Sequence, residues 1–314
     1  MSKRIIALLL ALVMVFALCA CGKGGDGGTT AGNNDVGDET YTIRIACENS
    51  DSYPATLGLY QMEKYVESHT NGKVQIEVCA SGQLGGEEET LEQVAQGNLE
   101  MAVASFAPVV SYVPEFEVMD IPFVYNSYTE AWMVLDSYVG TNLLDKMEAQ
   151  GLKGMAYMEN GMRQVTSNVS AINSIADFKG VKLRTMQNNN HMESFSALGA
   201  NPTPVAFSEL YISLSQKVVD AQENPIANVT DKKLYEVQKY LSLTNHIYDA
   251  MPLVCNLEFF NSLPQAYQKV VQAGAIYAQE FSRFCNLERE DLILADLADK
   301  YGMQINEVSA DARA

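Results

Sequence analysis

The strongest constraint on the fold is a regular alternation of strand-like and helix-like patterns in the first half of the chain. Apolar and polar residues alternate in 41–47 and 73–79, and between these two segments apolar residues recur on one helical face. A third strand is predicted at 99–105, and a helix whose first turn is Glu87, Glu88 and Glu89 precedes it. This alternation predicts an α/β protein with a parallel or mixed sheet, whose ligand binds at the carboxyl ends of the strands.

The rest of the chain continues the alternation as far as Tyr301, and its length of 314 residues suits two domains. The patterns predict an extended piece at 120–124, strands at 151–157, 164–167, 181–184, 218–221, 241–249 and 253–259, and helices at 128–150, 188–198 and 207–216. Further helices are predicted from Pro225, with Asn224 as N-cap, and from Pro264 to about Tyr301. Arg163 would lie in a short connection between two of the strands.

The N-terminus predicts export and lipid anchoring. Lys3 and Arg4 precede an apolar run, and the run ends in Leu18-Cys19-Ala20-Cys21, which resembles the bacterial lipobox. We therefore expect residues 1–20 to be a lipoprotein signal peptide, with Cys21 lipidated on the extracytoplasmic face of the cell membrane. Residues 21–40 are rich in Gly, Asp, Asn and Thr and predict a flexible tether. The alternative is ordinary secretion with cleavage elsewhere.

Charge and missing motifs exclude several classes of function. The formal net charge of −18 argues against binding to nucleic acid or, through the folded surface, to anionic lipid. The sequence has no His-Glu-x-x-His, Gly-x-Ser-x-Gly or Walker motif, and its 3 histidines are scattered. We expect no catalytic residue, no metal and no cofactor. We interpret Glu87, Glu88 and Glu89 as residues that stabilise the start of a helix, and not as ligands of a metal ion.

Arginine is rare in the middle of the chain. Between Arg44 and Arg283 the only arginines are Arg163 and Arg184, which lie close together in sequence. Guanidinium matches the geometry of a carboxylate in a bidentate fashion, so the pair predicts capture of a small organic acid. The alternative is that each arginine balances a nearby surface carboxylate.

Four cysteines follow the predicted signal peptide, at Cys47, Cys79, Cys255 and Cys285. No two are close enough in sequence for a zinc or Cys-x-x-Cys redox site, and no disulfide pairing can be assigned. Because each lies in an apolar strand or helix pattern, we interpret all of them as free and buried.

Several ordered motifs give the chain a family resemblance from about Tyr41 to Tyr301. They are Ser81-Gly-Gln-Leu-Gly85, Gly97-Asn-Leu-Glu-Met101, Asp120-Ile-Pro-Phe123, the stretch that holds the two arginines, Val219-Asp-Ala-Gln-Glu-Asn-Pro225 and Tyr235-Glu-Val-Gln-Lys-Tyr-Leu241. In this order they resemble the extracytoplasmic solute-binding proteins of TRAP transporters, the tripartite ATP-independent periplasmic carriers for organic acids.

The resemblance implies a periplasmic-binding-protein-like α/β fold of two lobes, joined by hinge strands and by a long helix that crosses both lobes. Lobe I would comprise 41–160 plus 250–290, and lobe II 161–249 plus 291–314. Such a receptor is a monomer that closes on its ligand and delivers it to the TRAP membrane subunits.

The resemblance also implies the ligand contacts. Arg184 would pair with the ligand carboxylate, supported by Arg163, Gln187, Phe207 and Asn224. Further possible contacts are Glu48, Ser105, Phe106 and His191. His191 lies at the start of a predicted helix, and we expect a cap or surface role for it in preference to contact with a ligand hydroxyl or second carboxylate.

This sequence departs from the family in three places. Residues 105–108 lack the charged contacts of the sialate-binding branch, so sialate is not expected, and 185–191 replaces the commoner Arg-x-Pro continuation. The chain ends soon after Val308 without the usual further helix, so the sequence is truncated or lobe II is smaller. The acid itself, a monocarboxylate, a dicarboxylate or a sugar acid, stays open. Two alternative functions remain. The protein could be a receptor that presents its ligand to a sensor kinase, or it could be a secreted enzyme.

Overall fold

The computed structural model describes residues 39–309, in which ten strands join in one mixed sheet. The strands are β1 (Tyr41–Ala46), β2 (Val74–Cys79), β3 (Met101–Val103), β4 (Leu152–Ser167), β5 (Lys182–Thr185), β6 (Asn201–Pro204), β7 (Ala221–Pro225), β8 (Tyr240–Leu243), β9 (Tyr248–Asn256) and β10 (Gln304–Glu307). Their order is β2-β1-β3-β9-β4-β7-β5-β6, and β8 pairs with both β4 and β10. The predicted signal peptide, Cys21 and nearly all of the tether lie outside the described residues.

Helices cover the faces of this sheet. They are α1 (Pro54–His69), α2 (Glu87–Ala95), α3 (Phe106–Val109), α4 (Tyr128–Leu135), α5 (Tyr138–Lys146), α6 (Asn189–Ala197), α7 (Leu210–Ser215), α8 (Ile226–Asp231), α9 (Leu257–Ser262) and α10 (Gln265–Ala295). Short 3-10 segments lie between them, including Pro114–Asp120 and Phe207–Glu209.

The first predicted unit is confirmed. Strands β1 and β2 pair in parallel and are connected by α1, which has Pro54 in its first turn and buries Leu59, Met62 and Val66. Helix α1 ends before Asn71, whose φ of 50° reverses the chain into β2. This parallel β-α-β arrangement places the carboxyl ends of β1 and β3 at one edge of the sheet.

Strand β4 corrects the prediction of two strands joined by a loop at Arg163. It is one strand of 16 residues, and Arg163 lies inside it, paired with Pro225. Up to Met162 it pairs with β9, and from Arg163 onwards it pairs with β7 and, at Val165–Ser167, with β8. A register shift between Glu159 and Gly161 marks the point where the strand passes from one half of the sheet to the other.

Other predicted elements were wrong in extent or type. Residues 120–124 are not extended, because Asp120 ends a 3-10 segment and Phe123 has a φ of 61°. The helix predicted at 128–150 is divided into two helices, α4 and α5. The Ser137 side chain caps the second one, α5, by accepting the backbone N–H of Val139. The strand predicted at 218–221 is displaced to β7, and those at 241–249 and 253–259 are replaced by β8, β9 and α9.

The two halves of the sheet carry separate cores, as the predicted two-lobed fold requires. In the half that contains β1, β2, β3 and β9, apolar side chains pack around Ile43 and Phe106. In the half that contains β5, β6, β7, β8 and β10, they pack around Leu183 and Leu241. The 31-residue helix α10 packs along α1 and β4, and its Ile293 contacts the cores of both halves. The lobe bounds themselves stay a prediction.

The interpretation of the four cysteines as free and buried is confirmed. Cys47, Cys79, Cys255 and Cys285 all carry free thiols, and every one of them is buried. Burial raises the pKa of each thiol, to about 11 for Cys47.

Candidate ligand-binding site

A cavity of about 200 Å³ lies between the two halves of the sheet. One wall comes from the residues after β1, the start of α2 and the segment before α3, and the other from β5, the Phe207 segment and α8. The residues that line it include Glu48, Asn49, Gly86, Glu87, Glu88, Glu89, Ser105, Pro108, Asn160, Arg184, Met186, Gln187, Phe207, Asn224, Asn228 and Met251. This volume is smaller than the sites of drug-sized ligands, so it suits a small molecule.

Arg184 projects into this cavity from β5. The strand alternates, so Leu183 enters the core of its half while Arg184 lies on the opposite face. Arg184 is only 2% exposed, and its Nε donates to the carbonyl oxygen of Val205 at 2.8 Å. Within residues 39–309, its Nη1 has no hydrogen-bond partner and the guanidinium forms no ion pair.

Burial lowers the pKa of the Arg184 guanidinium to about 10, with the charge of Glu223 opposing this shift and that of Arg163 adding to it. The side chain therefore remains a cation at neutral pH. A buried charge without a partner is unfavourable by several kcal/mol. A ligand carboxylate in the cavity would remove that penalty.

Arg163 is arranged differently. Its guanidinium is completely buried and donates to both carboxylate oxygens of Glu223, to Asp249 Oδ2 at 2.8 Å and to Asn224 Oδ1 at 3.2 Å. Burial acts to lower the pKa of Arg163, but the charges of Glu223 and Asp249 outweigh it and raise the pKa. Arg163 is not among the residues that line the cavity, but its hydrogen bond holds the side chain of Asn224, which is; direct contact of Arg163 with a ligand stays a prediction.

Asn224 lies at the floor of the cavity, at the end of a chain of side-chain amides. Its Oδ1 accepts from Asn228 Nδ2 at 3.2 Å, and Asn228 Oδ1 accepts from Asn49 Nδ2 at 3.0 Å. The expectation that Asn224 caps the next helix was wrong, because Pro225 occupies the cap position and no side-chain cap bond forms. Asn49 and Asn228 belong to opposite halves of the sheet, so this amide chain joins the two walls.

Gln187 and Phe207, the other two predicted contacts, both line the cavity. Gln187 is exposed at its rim, and Phe207 is half-buried with the ammonium of Lys232 4.5 Å from its ring centroid. Both side chains are thus placed where a ligand could touch them, and their contact with one stays a prediction.

The four further possible contacts separate into two groups. Glu48 and Ser105 line the cavity. Phe106 does not, because it is fully buried in a core, with its ring centroid 5.7 Å from that of Phe116. His191 does not line it either.

His191 corrects our expectation of a surface residue, since its side chain is completely buried. Its Nε2 lies 3.4 Å from Asp120 Oδ1 and its Nδ1 lies 3.7 Å from Glu223 Oε1, which are ion-pair distances without hydrogen-bond geometry. Burial alone would lower the pKa of His191, but the charge of Asp120, with that of Glu223, raises it to about 9. The imidazolium therefore bridges carboxylates from the two halves of the sheet.

Glu87 is the site residue that sequence reasoning missed. Its position in the first turn of α2 is explained equally well by the helix dipole, and no local signal shows that its half-buried side chain lines the cavity. Its Oε1 accepts from the Ser105 hydroxyl at 3.0 Å. Burial, together with the charges of Glu48 and Asp249, raises the pKa of Glu87 to about 8.

Residues 39–309 contain no cluster of three or more His, Cys, Asp or Glu side chains that could hold a metal ion. Over the same residues, no helix combines the length and the apolar character needed to cross a membrane.

Comparison with known proteins gives a consistent result. The sequence profile of the family described as bacterial extracellular solute-binding protein, family 7 (DctP), matches residues 45–314. The 2,3-diketo-L-gulonate-binding periplasmic protein YiaO of Escherichia coli K12 is 30% identical over 253 residues, which are 81% of this chain and 77% of that protein. The C4-dicarboxylate-binding periplasmic protein DctP of Rhodobacter capsulatus is 31% identical over 279 residues, 88% of this chain and 83% of that protein.

A solved structure extends this similarity to three dimensions. The sugar acid binding protein DctPAm of Advenella mimigardefordensis, crystallised with galactonate, superposes with a TM-score of 0.85 at 33% identity and covers 88% of each chain.

Proposed function

This chain belongs to the DctP family of TRAP solute-binding proteins, and we propose that it captures a small organic acid by pairing the acid's carboxylate with Arg184. The ligand would then pass to a TRAP membrane carrier. The protein performs no turnover, since binding and release are its whole activity. Lobe I (41–160 plus 250–290) and lobe II (161–249 plus 291–314) close around the ligand by a hinge motion, the protein acts as a monomer, and Cys21 anchors it to the extracytoplasmic face of the cell membrane.

One observation carries the proposal: a buried guanidinium without an ion-pair partner among the described residues faces the cavity between the two halves of the sheet. Guanidinium and carboxylate fit in a bidentate geometry, and a low local dielectric strengthens the pair. Similarity supports the same class of ligand, because the relatives are named for binding 2,3-diketo-L-gulonate and C4-dicarboxylates and the solved structure holds galactonate. All of these are organic acids.

The test is calorimetric titration of the folded protein with a panel of organic acids, followed by Arg184→Ala. Removing one partner of a buried charge pair weakens binding by about 2–5 kcal/mol, so the variant should bind at least about thirtyfold more weakly. Arg184→Lys keeps the charge but loses the fork and should recover only part of the affinity.

Lys182→Ala is the matched control, because Lys182 is a cation on the same strand as Arg184 but its side chain is exposed. It should bind normally. Circular dichroism shows whether each variant is folded. Full affinity in folded Arg184→Ala would disprove the carboxylate pairing, and a folded wild type that binds no acid would disprove the proposed ligand class.

A further inference from the structure

The wall that faces Arg184 is acidic. Glu48 is 6% exposed, its Oε2 accepts the backbone N–H of Glu87 at 3.1 Å, and its Oε1 lines the cavity region without a hydrogen-bond partner in the described chain. Glu87 lies beside it with one oxygen bonded to Ser105. Both glutamates come from the half of the sheet opposite Arg184, so the cavity separates a cation from two carboxyl groups.

The charges around the cavity leave no place for a second ligand carboxylate. Arg184 is the only basic residue among those that line it in the described chain. The next cation, Lys232, lies 3.4 Å from the carbonyl oxygen of Glu48 and 4.0 Å from its Oε1, so its charge is already directed at that glutamate. A dicarboxylate bound to Arg184 would therefore place its far carboxylate against Glu48, where like charges repel.

Hydroxyl groups fit this wall better. A hydroxyl can donate to Oε1 of Glu48, which accepts no hydrogen bond from the described residues, and can accept from a protonated carboxyl group or an amide. The raised pKa of Glu87 keeps its carboxyl group protonated at neutral pH. An acid without hydroxyl groups would leave the buried polar atoms of the wall unpaired, which discriminates strongly against such a ligand.

We infer that Glu48 and Glu87 are specificity-determining residues that select acids with one carboxylate and several hydroxyl groups and reject dicarboxylates. This inference rests on the proposed function, because it assumes that Arg184 holds the first carboxylate. It assigns opposite ends of the ligand to opposite halves of the protein.

A matched set of acids tests the inference by calorimetry at pH 7. The four-carbon set is trihydroxybutanoate, butanoate, succinate and 4-aminobutanoate, and the six-carbon set is a hexonate, hexanoate, adipate and 6-aminohexanoate. Within at least one set the hydroxy acid should bind at least about tenfold more tightly than each of the others.

Two variants then identify the residues responsible. Glu48→Gln removes one carboxylate and frees Lys232, so the affinity for the dicarboxylate should rise at least about tenfold relative to the hydroxy acid. Glu87→Gln should change the same ratio in the same direction but less, because Glu87 is already protonated. Glu92→Gln on the exposed face of α2 is the control and should leave the ratio unchanged.

The outcomes separate the two proposals. Binding of the dicarboxylate or the amino acid as tightly as the hydroxy acid, or an unchanged ratio in folded Glu48→Gln and Glu87→Gln, overturns the inference while the organic-acid function stands. If the folded wild type binds no acid of either set and no acid of the wider panel, both proposals fail.

Discussion

At the scale of single residues, Arg163 and Arg184 show two solutions to the burial of a cation. Arg163 is paired with Glu223 and Asp249, and all three side chains are inaccessible to solvent. Arg184 is almost as buried but has no ion-pair partner among residues 39–309. A ligand carboxylate would form with Arg184 the kind of ion pair that Glu223 forms with Arg163. The cavity thus contains a buried positive charge that no carboxylate of residues 39–309 neutralises.

Sequence reasoning identified this pair but could not separate the two roles. The scarcity of arginine singled out both residues. The partners of Arg163 lie 60 and 86 positions away in sequence, and only the fold brings them to it. Glu87 could not be recognised for a similar reason, since a glutamate in the first turn of a helix needs no further explanation.

Glu159 gives a prediction for stability against pH. It is fully buried, and its Oε2 accepts from Trp132 Nε1 at 2.7 Å and from the Tyr248 hydroxyl at 3.0 Å. Burial raises its pKa to about 8, against the opposing effect of these hydrogen bonds. Because the folded pKa exceeds the unfolded one, the folded state holds an extra proton, and the free energy of unfolding should fall as pH rises from about 4.5 to 8.

Glu159→Gln should remove this contribution. Relative to wild type, the variant should be about equally stable at pH 5 and more stable at pH 9, by on the order of 4 kcal/mol. Urea unfolding at both pH values measures the difference. The exposed Glu258→Gln is the control and should follow the wild type. Parallel pH profiles for Glu159→Gln and wild type would contradict the prediction.

At the scale of elements, strand β4 determines how the two halves are joined. The sequence predicted its two ends correctly but placed a loop between them, because Gly161 and a run of polar residues interrupt the apolar alternation. Those polar side chains are buried in the strand, where Asn160, Arg163 and Gln164 bond to partners that are distant in sequence. A pattern of polar and apolar residues cannot distinguish a loop from a strand that buries a polar network.

A substitution at Gly161 tests how important the packing is where β4 passes from one half of the sheet to the other, at residues 159–161. The φ of 123° at Gly161 is strained for any residue with a side chain, and an added Cβ would lie 3.3 Å from Pro225 Cβ and 3.4 Å from the Tyr128 hydroxyl. Gly161→Ala should therefore lower the free energy of unfolding by about 2–3 kcal/mol, measured by urea titration.

Gly180→Ala is the matched comparison. Its φ of 76° lies in the left-handed region, but no atom lies within 4 Å of the added Cβ. It should lose only about 1 kcal/mol. An equal loss in both variants would show that residues 159–161 have no special packing.

At the scale of the whole molecule, several contacts join the halves around the cavity, and three of them illustrate the connection. Asn49 donates to Asn228 at 3.0 Å, the backbone N–H of Ser50 donates to Asp231 at 3.3 Å, and His191 lies 3.4 Å from Asp120. They hold the two walls together, and we expect them to stabilise the closed form that encloses a ligand.

Asp120→Asn tests this expectation. The substitution removes the charge that attracts the His191 imidazolium from the other half, so ligand should bind about tenfold more weakly. Calorimetry measures the affinity, and small-angle X-ray scattering measures the compaction on adding ligand, which should be smaller than in wild type. Glu117→Gln, exposed on the same 3-10 segment, should change neither quantity. Wild-type affinity and compaction in Asp120→Asn would rule out a role for this ion pair in closure.

The four buried free thiols have a consequence for how the protein can mature. No covalent cross-link holds residues 39–309 together, so the native topology is encoded by non-covalent packing alone and does not depend on an oxidant. Because the thiols are buried and their pKa values are raised, few thiolates are available to exchange with a foreign disulfide once the chain is folded. The fold of residues 39–309 should therefore be the same in oxidising and in reducing surroundings.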